Sequence, residues 1–196
     1  MTRDPLFAKS WDRRETPPDS IYLKKHLQDV LVAAEQVLDA TAAMQLMSLG
    51  LPRDPWEDDL RRVVRLAAAL HDMGKCNDQF QKMLRGLVRS QTLRHEWATL
   101  LILQQSGWSD WLRPALGENH EIAWRMVRWC IAGHHPAYGR SAPPEPGDGR
   151  AEMHLPLDHP DVDAVTIWLA ATFGLNEAPA LQPFKVDFVE PDEPHL

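Results

Sequence analysis

The sequence predicts an all-α bundle, and three observations carry that reading. Apolar residues recur at spacings of three and four over several long stretches, the period of one helix face. Alternation of apolar and polar residues never holds for more than a few positions, so nothing resembles a half-buried strand. Start and stop signals bracket the periodic stretches, with Asp54-Pro55 opening one and Gly50 and Gly74 closing others.

Taken in order, Asp19 or Ser20 can cap a first helix running from about Ile21 towards Leu49 and ending at Gly50. Its inward set includes Leu23, Leu27, Val30, Leu31, Ala34, Val37 and Leu38. Asp54-Pro55 then reads as an N-cap with proline at the first helical position. The helix that follows carries Leu60, Val63, Val64, Ala67 and Leu70 on one side and stops near Gly74, read as a left-handed C-cap. Shorter helices are expected over 78–87, 95–105, 109–116 and 121–132. The stretch from His134 to Asp161 is rich in proline and glycine and is expected as a long loop, centred on 136–160. A last helix over 161–173 turns Val162, Val165, Leu169 and Phe173 inward, and the pattern then fades. One domain over 1–175 is expected, with 176–196 a linker or a truncated edge.

Composition narrows the class. The 196 residues, 44% of them hydrophobic, suit one domain with a real core. No run of about 18 apolar residues occurs, so no membrane partner is expected. The stretch "MTRDPLFAKSWDRRE" lacks the apolar region of a secretory signal, and Cys76 and Cys130 fit a reducing compartment, so the expected location is cytoplasmic. A net charge of −7 argues mildly against a chain that coats nucleic acid unaided, although a compact basic groove is compatible with it. Nine histidines are more than packing explains.

Several of those histidines fall at telling places. "AALHDMGKCNDQFQ", residues 68–81, sets His71 beside Asp72 where a helix is about to stop. Imidazole nitrogen with carboxylate oxygen suits divalent first-row cations, and a carboxylate can bridge two of them. His26 sits in "KHLQDV" on the apolar side of the first helix, where a core histidine bonded to a carbonyl is the plain alternative. His95 opens a helix in "RHEWATLL", and His134-His135 close one in "IAGHH".

This ordered set, together with "LFAKS" near the start, resembles the HD-domain nuclease of the CRISPR type I helicase-nuclease family. The likeness runs from about residue 6 to 136 and continues weakly through 161–173. It implies an HD-domain helical bundle with a two-ion centre. One ion would be held by His26, His71 and Asp72, the other by His95, His134 and His135, with Asp72 bridging. The ions would be divalent transition metals (Mn, Fe, Co or Ni, with Mg also compatible). The implied chemistry is metal-assisted phosphodiester hydrolysis, with Asp72 and Lys75 as catalytic candidates. Lys75 would bind the scissile phosphate or orient Asp72; a solvated residue after a helix stop is the alternative. The implied partners are single-stranded DNA, a CRISPR helicase on the same or a separate chain, and the type I surveillance complex.

The family's late aspartate ligand has no match here. Asp161, Asp163 and Asp187 are available, but none lies in the expected context; either the chain is cut before that helix, or another aspartate substitutes, or the first metal binds weakly, and the first of these is favoured. Two other functions compete: an HD-type nucleotide phosphohydrolase, and a degenerate helical module that keeps its ligands only for folding. Trp97, Trp108, Trp111, Trp124 and Trp129 could stack on unpaired bases, yet their helical spacing favours core roles. Arg61, Arg62 and Arg65 read equally as a phosphate path or a solvated face. Cys76 is not expected as a ligand, and His120, His154, His159 and His195 are expected at the surface.

Overall fold

The computed structural model describes residues 4–89, 91, 93–118, 120–135 and 151–188. Among these, seven α-helices and one two-stranded antiparallel sheet occur. The helices are α1 (Leu23–Ser48), α2 (Arg53–Leu70), α3 (Asp78–Leu84), α4 (His95–Ile102), α5 (Trp108–Leu112), α6 (His120–Gly133) and α7 (Pro160–Phe173). The all-α reading holds for the body of the fold. Its core joins Leu23, Leu27 and Leu31 of α1 to Leu66 and Leu70 of α2, Val127 and Ile131 of α6, and Val165 and Leu169 of α7.

The first helix keeps its expected period but not its expected cap: Asp19 and Ser20 lie in a 3-10 turn, and Tyr22 stands at the N-cap of α1 without a side-chain bond, because that turn already carries the chain into the helix. α1 buries Leu23, His26, Leu27, Leu31, Leu38, Ala42 and Leu46, one stripe at helical spacing, while Val37 lies exposed. It is long and apolar enough to cross a bilayer, but that stripe packs against α2 and the rest of the core. Gly50, at φ 69°, ends it in the left-handed region, and Leu51 N–H returns to the Leu46 carbonyl at 3.0 Å. Asp54 takes an extended conformation (φ −96°, ψ 128°), so regular helix begins at Pro55, as its position implies.

The sheet is the main departure from expectation. β1 (Ala151–Leu155) lies inside the segment expected as loop, and β2 (Phe184–Phe188) lies in the expected tail. They pair antiparallel with Met153 opposite Val186. Met153 and Leu155 are fully buried, and Phe184 and Val186 pack on the core. Period-two alternation is therefore present, but over five residues in each strand, too short to stand out beside the prolines. The remainder of the expected loop, 136–150, and of the tail, 189–196, lies outside the described residues.

The joint after α2 also differs. Gly74 is not a left-handed cap. It sits fully within a 3-10 turn, Met73–Cys76, pressed against α4. A Cβ there would lie 2.0 Å from the His95 carbonyl oxygen and 2.5 Å from Thr99 N. Glycine is needed for close approach, not for its freedom in φ. Gly74 N–H donates to Thr99 Oγ1 at 2.8 Å, and that hydroxyl lies 3.0 Å from the carbonyls of both His71 and His95. One threonine thus pins the start of α4 to the end of α2.

The leading segment closes the other side. Gln81 grips Phe7 at both ends, accepting from its N–H at 3.1 Å and donating to its carbonyl at 2.8 Å. His159, expected at the surface, is buried instead. Its Nδ1 accepts from Asp161 N–H as the N-cap of α7, and its Nε2 faces the Asp4 carbonyl at 3.0 Å. An imidazole that caps a helix and ties down a second segment has a structural reason to be inside, which single-residue statistics do not reveal.

Replacing Gly74 by alanine forces α4 away from the turn. A loss of about 1–3 kcal/mol of stability is expected from such overpacking, read from the urea midpoint, with helical content preserved.

Candidate metal centre

The pieces that flank Gly74 converge on one carboxylate. Asp72, 2% exposed, faces imidazole nitrogens from four elements and an ammonium from the 3-10 turn. Its Oδ2 lies 2.7 Å from His26 Nε2, 3.0 Å from His71 Nε2 and 2.7 Å from Lys75 Nζ. Its Oδ1 lies 3.0 Å from His95 Nε2 and 3.5 Å from His134 Nε2, without hydrogen-bond geometry to either. His135 Nε2 stands 2.9 Å from His95 Nε2. Two donor groups result, His26–His71–Asp72 and Asp72–His95–His134–His135, with ligand atoms in each group within 4.8 Å of one another.

Local helix chemistry explains how two of these rings are aimed. His71 directly follows α2, and its Nδ1 lies 2.8 Å from the Ala68 carbonyl. His134 directly follows α6, and its Nδ1 lies 2.7 Å from the Ile131 carbonyl. The last carbonyls of a helix have no partner within it. Because a carbonyl only accepts, Nδ1 must carry the proton in each ring. When the ring is neutral, Nε2 is then a bare lone pair turned towards Asp72. A histidine at a helix exit caps the helix with one nitrogen and presents a ligand with the other.

Bare lone pairs facing a carboxylate repel unless a proton or a cation stands between them. His134 Nε2 and Asp72 Oδ1 are both buried without a hydrogen-bond partner among the described residues. Nitrogen and oxygen donors of this kind, converging and unsatisfied, fit divalent transition ions. The residues therefore fit a metal centre by their own geometry.

The electrostatics agree. Burial pushes the Asp72 carboxyl up, but the imidazoles of His134, His26, His71 and His95 crowded around it override this and hold the group well below the usual carboxylate range. Burial lowers His26, only partly offset by Asp72. It also lowers His135, helped by His134 and His95. For His134 burial is outweighed by Asp72 and the Ile131 carbonyl, and the ring is raised. Burial pushes the Cys76 thiol up to about 12, so it is not a thiolate ligand.

All six histidine and aspartate candidates thus stand together. Lys75, the seventh candidate, bonds Asp72 and the Ala8 carbonyl (3.1 Å), over the Phe80 ring. That arrangement orients Asp72. Among the described residues neither donor group contains a second aspartate. Asp161 accepts from Leu6 N–H at 2.7 Å, Asp163 is exposed, and Asp187 lies opposite Glu152 in the sheet. His195 lies outside the described residues. Sequence reasoning missed Thr99 and Glu96. Glu96 is buried, ion-paired with Arg94, and has Oε2 3.8 Å from His95 Nδ1. Its place beside His95 in "RHE" was a readable signal.

A family model described as "Cas3, HD domain" matches residues 7–189. A curated relative, "Putative CRISPR-associated nuclease/helicase Cas3" of Myxococcus xanthus (strain DK1622), is 34% identical over 178 residues, 89% of this chain. The chain spans 23% of that relative's length. No solved structure gives a significant match.

Protons and ions compete for these rings, and the direction follows from the shifts. The depressed His26 and His135 stay neutral in the folded chain, and their contribution to stability is lost as pH falls below the ordinary imidazole value. The raised His134 contributes below that value and fades as pH rises through its own, so its proton is the one an incoming ion displaces. Mn²⁺ affinity, measured by titration calorimetry, should fall at least about tenfold between about pH 7.5 and about pH 5.5. An unchanged affinity would rule out histidine ligation.

Proposed function

The chain belongs to the Cas3 HD-domain family, and from that membership we propose that it is a metal-dependent phosphodiesterase. In our reading it is a deoxyribonuclease of CRISPR antiviral defence that prefers single-stranded DNA. It would act in the cytoplasm with a helicase, on the same or a separate chain, and with a type I surveillance complex. One observation carries the reading: imidazole nitrogens from four separate elements surround a single buried carboxylate, two of them held by helix-end carbonyls with their lone pairs inward.

His26, His71 and Asp72 would hold one ion, and His95, His134 and His135 the other, with Asp72 shared. Mn, Fe, Co or Ni suits the mixed nitrogen and oxygen donors, and Mg is the harder alternative. Such ions supply an activated water and neutralise the charge that builds on a phosphate under attack. The chain's own residues do the rest. Asp72 would supply the one carboxylate of the two donor groups, and with it part of the negative charge that bound cations require. Lys75, fixed by the Ala8 carbonyl, holds Oδ2 in place and lends positive charge beside an incoming phosphate. Thr99 and Gly74 hold His95 in register with His71. Cys76, inert and buried, leaves the chemistry to nitrogen and oxygen.

The test pairs a labelled single-stranded oligonucleotide with its duplex, in Mn, Ni, Co or Mg and in chelator, alongside a panel of free nucleotides. Metal-dependent cutting of the single strand with the nucleotides left intact is the expected result. Asp72→Asn keeps the shape of the side chain but removes its charge, and should lower the cleavage rate by at least about a hundredfold with circular dichroism unchanged. Robust cutting by that variant would exclude the carboxylate from the mechanism.

A further inference from the structure

The five tryptophans of the middle third divide into two kinds. Trp108, Trp111 and Trp124 are buried and serve packing. Trp97, on α4, is 42% exposed, and Trp129, on α6, is 72% exposed. Both line a cleft of about 290 Å³ along the seam between those helices, with Leu100, Ala132, Arg125 and Arg128. An indole left in water costs hydrophobic free energy, so two of them facing one cleft ask for an occupant.

The arginines say what kind. Arg125 and Arg128 have no ion-pair partner among the described residues, in a chain whose net charge is −7. The other basic cluster is spent internally: Arg61 pairs with Asp39 and Glu57, Arg62 with Asp59, and Arg65 with Glu35. The Arg61–Arg65 turn is therefore neutralised, whereas the cleft keeps its positive charge. Flat aromatic faces beside uncompensated guanidinium groups suit a ligand with π-faces and phosphates. A purely apolar partner would leave both cations without use.

The cleft and the metal centre share two helices. α4 begins with His95, and α6 runs directly into His134 and His135. Ala132, which lines the cleft, precedes His135 by three residues, one helical turn's spacing.

We propose that the Trp97–Trp129 cleft is a stacking subsite for unpaired nucleobases next to the scissile phosphate, with Arg125 and Arg128 on the flanking phosphates. The inference rests on the nuclease reading and adds to it the origin of single-strand preference. Paired bases are stacked on one another and have no free face to offer.

Binding and chemistry are measured apart. In chelator, where no cutting occurs, the anisotropy of a fluorescein-labelled oligothymidylate reports affinity, with unlabelled duplex as competitor. With Mn²⁺, hydrolysis of bis(p-nitrophenyl) phosphate reports the centre alone, because that substrate is too small to reach the cleft. Trp129→Ala and Trp97→Ala should each weaken oligothymidylate binding by about tenfold, and Trp129→Phe should keep most of it. The double variant Arg125→Gln, Arg128→Gln should flatten the logarithmic salt dependence by about 1.4. All four variants should hydrolyse the small phosphodiester at the wild-type rate. Unchanged oligothymidylate affinity in both alanine variants overturns the subsite, as does an equal loss of duplex binding. If the wild-type chain fails to hydrolyse the small substrate, the nuclease reading falls, while the anisotropy series still decides whether the cleft binds bases.

Discussion

The fold is organised around one ionised carboxylate removed from water. Taking a carboxylate out of solvent costs several kcal/mol even after the protein relaxes, and the cost must be met by charges and hydrogen bonds close at hand. Asp72 meets it with an ammonium and imidazoles brought from α1, the end of α2, the start of α4 and the end of α6. No two of those elements can shift independently without leaving the carboxylate short of a partner. The packing of α1 on α2 and of α4 beneath the 3-10 turn is thus a condition of the charge balance as much as of the apolar core.

Helix ends do a second task in this arrangement. Each of α2 and α6 leaves carbonyls without an intrahelical partner, and the histidine just beyond satisfies one of them. The ring loses its freedom to flip before any ion arrives, so the ordering cost of the donor is met by helix capping. Where the chain needed closeness in place of capping, at Gly74, it gave up a side chain altogether.

How much of this was legible in the sequence depends on the kind of signal. Long helices were, because a stripe such as Leu23–Leu46, on a 26-residue helix, repeats its period many times. The donor residues were visible as an ordered set, since histidines at helix exits have few packing uses. Gly74 was misread because a glycine after a helix has two explanations, positive φ or close approach, and only the position of α4 separates them. The strands hid because five residues of alternation beside prolines carry little periodicity. His159 and Thr99 act through partners some 155 and 25 positions away, at Asp4 and Gly74, and no local pattern encodes such distances.

The leading segment shows where that logic ends in practice. Residues 4–8 contribute almost no regular structure, yet Asp4 is held by His159, Leu6 by Asp161, Phe7 by Gln81, and Ala8 in turn holds Lys75. What looks like a dispensable stretch supplies the carbonyl that fixes Lys75. Trimming it to improve expression, or placing a bulky fusion tag against it, would slacken the ammonium that steadies Asp72, and a preparation cropped there would be judged sluggish for reasons far from its chemistry.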